Sequence, residues 1–74
     1  MTIIELGDKL KKMYDTAPKG EKVTFVHLFG IQFGRIIMSR NFDVKAVVKA
    51  AGMPESYVAE VQRGLRLSMY VQYP

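Results

Sequence analysis

The sequence predicts an all-α domain of four helices, and three observations carry that expectation. Apolar residues recur at spacings of three and four along most of the chain, which is the period of one helical face. Each such run begins or ends at a capping residue, a Gly or a Pro. Only one stretch alternates with period two, Leu65 to Tyr73, so a sheet would have no second strand.

The first helix is predicted from about residue 3 to 16. Thr2-Ile3-Ile4-Glu5 has the spacing of a capping box, in which the Thr2 hydroxyl accepts from the Glu5 amide and the Glu5 carboxylate reaches back. Ile3, Leu6, Leu10, Met13 and Ala17 make its apolar face. Glu5–Lys9 and Asp8–Lys12 are i,i+4 pairs on the wet side. Pro18-Lys19-Gly20 ends the run.

The second helix is predicted from near Glu21 to about Met38. Phe25, Phe29, Phe33 and Ile37 form one row, widened by Val26, Leu28 and Ile36. Apolar residues over so much of the circumference make this the central helix. Gly30 and Gly34 lie on one face. Each costs about 0.8–1 kcal/mol against Ala in a helix interior. Close approach of another backbone within the monomer would offset that cost; a helix–helix contact between two copies is the rival reading. Ser39 to Phe42 is a turn, and Asp43 is placed to cap a third helix over Val44–Ala51, with Val44, Val47, Val48 and Ala51 inward. Gly52 suits positive φ after it. Pro54 suits the first turn of a fourth helix, in which Tyr57, Val58, Val61 and Leu65 keep helical spacing and Gly64 is a candidate end. The tail from Leu65 to Tyr73 reads two ways. It alternates like a strand, yet Leu65 and Met69 extend the fourth helix's face; continuation of the helix is the favoured reading.

With 74 residues the chain is expected to be one domain. The hydrophobic share of 49% and the charged share of 24% argue against disorder. No Cys is present, which removes disulfides and thiolate metal sites. The N-terminus has no basic segment followed by a long apolar one, so no signal peptide is read and a cytoplasmic protein is the expectation. The most apolar stretch, Val23 to Met38, is shorter than the ~20 residues of a membrane span and contains His27, Gln32 and Arg35.

Net charge is +4, which permits an anionic partner without demanding one. It is spread evenly: residues 1–37 hold six Lys or Arg against four Asp or Glu, and residues 38–74 hold five against three. His27 is the single His, and its place over Val23 and Ile31 reads as a packed imidazole. A metal site or a Ser/His/Asp set would need partners that the spacing does not supply. Lys19-Gly20 is no phosphate loop, and Phe25, Phe29 and Phe33 are spaced as core rather than as a base-stacking platform. No catalytic residue, cofactor or small-molecule substrate is read from these residues.

The residues from Val44 to Gly64 resemble the helix-turn-helix of bacterial repressors. That family places a Gly in the turn, an apolar residue after it, apolar residues six and nine positions beyond the Gly, and often a second Gly twelve beyond. Here these are Gly52, Met53, Val58, Val61 and Gly64. Val48 departs from the pattern, which prefers Ala four residues before the turn Gly so that the helices approach. More broadly, the chain is similar to short bacterial proteins described only as helix-turn-helix-like domains. The similar parts are Ala17 to Val23, His27 to Ile31 and Ala51 to Tyr57. The resemblance implies a fold and brings no activity with it.

If that fold holds, the fourth helix is the recognition helix. Its outward residues would be Glu55, Ser56, Ala59, Glu60, Gln62 and Arg63. Ser56, Gln62 and Arg63 suit base edges or phosphates, and Arg40, Lys45, Lys49 and Arg66 suit phosphates. Glu55 and Glu60 do not suit a polyanion. Two functions therefore stand: a dimeric module that binds double-stranded DNA, and a protein-interaction module of the same fold that touches no DNA. The carboxylates and the apolar tail favour the second.

Overall fold

The computed structural model describes residues 1–71, and within them the chain forms α1 (Ile3–Thr16), α2 (Lys22–Ser39), α3 (Val44–Ala50) and α4 (Tyr57–Leu67) with no strand. The capping box at Thr2 is present, with Glu5 N donating to Thr2 Oγ1 at 3.1 Å and Thr2 N donating to Glu5 Oε1 at 2.9 Å. Asp43 caps α3 by accepting from Lys45 N at 3.1 Å.

Two helices end in the same way. After α3, Gly52 N donates to Lys49 O and Met53 N to Val48 O, with Gly52 at φ 71°. After α2, Asn41 N donates to Met38 O and Phe42 N to Ile37 O, with Asn41 at φ 54°. Both are Schellman closures, which satisfy the last carbonyls and fold an apolar residue back onto the helix. The closure after α3 brings Met53 onto Val48, and both are buried. Val48, larger than the Ala that repressors prefer, thus serves as the floor under the turn.

The core collects Leu6 and Leu10 from α1, Val26, Phe29, Phe33 and Ile37 from α2, Val44, Val47 and Val48 from α3, then Ala51, Met53 and Val61. Phe29 and Phe33 meet with tilted rings, 5.1 Å between centroids. Central α2 packs on α1 and, most extensively, on α4, while α1 also packs on α3. The α2–α4 pair runs parallel, since Gly30 meets Val61 and Gly64 whereas Gly34 meets Leu65 and Ser68. A Cβ at Gly30 would lie 2.6 Å from Val61 O and 2.7 Å from Gly64 Cα. The close approach expected at Gly30 and Gly34 is therefore between helices of one monomer. Gly64 is the other half of that approach.

The structure corrects three expectations about the helices. Pro54 does not open α4; Tyr57 N donates to Pro54 O and Val58 N to Glu55 O, so a tight i,i+3 turn precedes the helix. Gly64 does not end α4, because its missing side chain is what the α2 backbone needs. Phe25 is only half-buried, and Val26 takes the core place beside Phe29. The favoured reading of the tail holds through Val71: Ser68 N bonds Gly64 O and Val71 N bonds Leu67 O, continuing the helical turn. Leu65 packs on the core as expected, but Met69 stands 63% exposed and the small Ser68 is buried in its stead. Tyr73 lies outside the described residues.

Candidate nucleic-acid interface

The helix-turn-helix pair presents two neighbouring surfaces. On α4, Ala59, Gln62, Arg63 and Arg66 line a shallow groove, because spacings of three and four put them on one side of the cylinder. That side points away from the stripe of Tyr57, Val61, Gly64 and Ser68, which faces the interior. Beside the turn, Lys45 and Lys49 flank a second groove floored by Val48 and Met53 and closed by Glu55.

Of the seven residues expected to contact DNA, the fold thus brings Gln62, Arg63 and Arg66 together, and separately Lys45 and Lys49. Ser56 is exposed at the start of α4 and makes no side-chain cap. Arg40 caps the far end of α2 and lines neither groove. Two of the cations are not free. Lys45 Nζ lies 3.2 Å from Glu55 Oε1, both well exposed. Arg63 Nη1 donates to both Glu60 oxygens, at 2.8 and 3.0 Å.

Glu60 itself corrects the sequence reading. It was expected on the outward face of the recognition helix. Instead it is half-buried and 2.8 Å from His27 Nε2, so it ties α4 to α2 on one side and holds Arg63 on the other. The signal was present in the spacing: Tyr57, Glu60, Val61 and Gly64 fall on one stripe, and His27 shares the α2 face of Gly30 and Gly34. The hydrogen bond from His27, and then that from Arg63, hold the Glu60 carboxyl below its ordinary value of 4.5.

This has a consequence for acid stability. The unfolded chain takes up a proton on Glu60 at the ordinary value, before the folded chain does. The stability contributed by the charged carboxylate is complete above that value and is lost as pH falls through the folded one. Wild type should therefore melt higher than Glu60→Gln at neutral pH, and the gap should close on acidification below about pH 4.5. Parallel melting curves at every pH would show that Glu60 carries no such linkage.

One turn before Glu60, Tyr57 and Tyr14 bond through their hydroxyls at 3.1 Å, edge to face, with Lys22 Nζ 4.6 Å above the Tyr14 ring. That hydrogen bond pushes the Tyr57 phenol up from its ordinary value. The pair fixes the start of α4 against the end of α1.

Among the described residues no group of His, Cys, Asp and Glu could hold a metal ion. No helix among them is long and apolar enough to cross a membrane. Compared with known proteins, residues 2–73 match a family model described as an HTH-like domain. Nothing among the curated proteins or the solved structures matches the chain.

Proposed function

The chain belongs to the family of HTH-like domains, and on that premise we propose that it is a non-enzymatic module that binds double-stranded DNA. The observation that supports this reading is the exposed face of α4, where Gln62, Arg63 and Arg66 share one groove. Arg and Gln are side chains that pair with guanine and adenine edges. Lys45 and Lys49 lie on the preceding helix, where a helix-turn-helix meets the phosphate backbone. One copy offers few base contacts, so the reading includes action as a pair of copies on two half-sites.

Titration of a short duplex against the full chain at low ionic strength tests it. Binding in the micromolar range is expected, as for a phosphate-led contact. Arg66→Glu should abolish it while leaving the fold intact, because Arg66 is exposed. No binding at micromolar protein in low salt, or binding indifferent to Arg66→Glu, would overturn the reading.

A further inference from the structure

Among the described residues, three ion pairs join Lys or Arg to a carboxylate, and one is unlike the others. Lys11–Asp15 and Lys45–Glu55 lie in the open, with carboxylates 52% and 73% exposed. Pairs so exposed hold a long side chain weakly. In the third, Arg63 Nη1 donates to both oxygens of Glu60, at 2.8 and 3.0 Å, and the Glu60 side chain is only 23% exposed. The same carboxylate lies 2.8 Å from His27 Nε2. His27 belongs to α2, so Glu60 is anchored from a second helix and Arg63 is tied to a fixed point.

The tie uses one corner of the guanidinium. Nε and Nη2 make no hydrogen bond among the described residues, and the Arg63 side chain is 67% exposed on the groove it shares with Gln62 and Arg66. Two donors in one plane match guanine, whose N7 and O6 acceptors lie side by side in the major groove. Adenine sets a donor beside its N7, and cytosine offers a donor, so neither accepts the pair. A phosphate makes the opposite demand. It draws net charge and asks for little orientation, and Glu60 offsets the charge of Arg63. The carboxylate therefore weakens Arg63 as a phosphate contact and favours it as a base contact. A fork fixed in advance loses less side-chain freedom on binding.

We propose that Glu60, anchored by His27, is a positioning residue that presents Arg63 to a guanine in the major groove, and that the duplexes this domain selects carry guanine at that position. The proposal rests on the DNA reading above and adds to it the base that is read and the side chains that fix the reader. Arg63 touches the base; Glu60 and His27 act through Arg63.

The test is selection by the full chain, at low ionic strength, from a pool of duplexes with a randomised central segment. The selected duplex is then measured by fluorescence anisotropy beside an unselected one. Wild type should enrich a guanine position, and changing that G·C pair to A·T should weaken binding about tenfold or more, as for loss of a bidentate pair. Arg63→Ala should erase the preference at that position. Glu60→Gln should shrink it to about twofold while binding of the unselected duplex holds or rises. Glu60→Asp keeps the charge but is one methylene too short to meet both partners, and should shrink it likewise. His27→Gln, whose amide nitrogen can still donate to Glu60, should keep it. Circular dichroism at the assay temperature checks that each variant is folded. A merely structural Glu60 would lower binding of every duplex alike, and that result would overturn the proposal. So would a wild type that binds duplexes without preferring guanine, a preference that survives Arg63→Ala, or one unmoved by both Glu60 variants. Each of these leaves DNA binding standing; absence of any duplex binding overturns both readings.

Discussion

Gly64→Ala and Gly30→Ala should each lower the melting temperature by about 10–20 °C, a larger loss than most single substitutions produce. On an exposed helix the same change would stabilise by about 0.8–1 kcal/mol. Here the added methyl meets backbone. A Cβ at Gly64 would collide with His27 O and lie 2.8 Å from Gly30 Cα, and one at Gly30 would lie 2.7 Å from Gly64 Cα. Neither neighbour can rotate away, so α2 and α4 must separate along the packed seam. Overpacking of this kind costs about 1–3 kcal/mol and more where backbone must move. A domain of this size has only about 4–11 kcal/mol in hand. Gly34→Ala should cost much less, because its nearest neighbour is the Ser68 hydroxyl at 2.6 Å, the end of a side chain. Gly34→Leu should fall with the severe pair. Thermal unfolding followed by circular dichroism ranks all four. An unchanged or raised melting temperature for Gly64→Ala would mean that the two backbones do not touch.

Raising salt from 50 to 200 mM should weaken duplex binding by about tenfold. The figure follows from which cations are free. Four basic side chains line the two grooves, but Lys45 is paired with Glu55 and Arg63 with Glu60. Lys49 and Arg66 have no carboxylate partner among the described residues. Two phosphate contacts give a log–log slope of roughly −1.8; all four would give roughly −3.6 and a loss near 150-fold. Glu60→Gln removes the charge that holds Arg63, so its slope should steepen by about 1 and its affinity at low salt should rise. Fluorescence anisotropy of a labelled duplex at several salt concentrations measures both. Affinity flat in salt would remove phosphate contact from the account. A slope unmoved by Glu60→Gln would show that Arg63 does not reach the backbone of the duplex.

These expectations separate what was legible in the sequence from what was not. The helices, their caps and the turn at Gly52 were legible because each is a local device: a hydroxyl three residues from a Glu, an Asp before Val44, a Gly where φ must be positive. Their physics is complete within four or five residues of chain. The close approach at Gly30 and Gly34 was also legible, since two such costs on one face require an offset. What faced those glycines was not. Gly64 and Ser68 repeat the same small-residue spacing, but Gly64 has the local signature of a helix end, and only the parallel seam with α2 shows it as an interior position. The strand-like alternation of the tail left a second reading open for the same reason. Helix and strand share residues at short range, and burial of Ser68 beside Gly34 decided between them.

Glu60 is the clearest case. A charged residue on an amphipathic helix belongs by default to the wet face. The sequence by itself determined that Glu60 lies within one stripe of Val61. The tertiary structure alone supplied His27 from another helix to receive it, and so turned a surface charge into the tie between α2, α4 and Arg63. Local sequence sets where a helix starts, stops and hides its apolar side. Which helix covers that side, and which polar groups meet across the seam, depends on partners 33 residues apart in the chain, where no periodicity reaches.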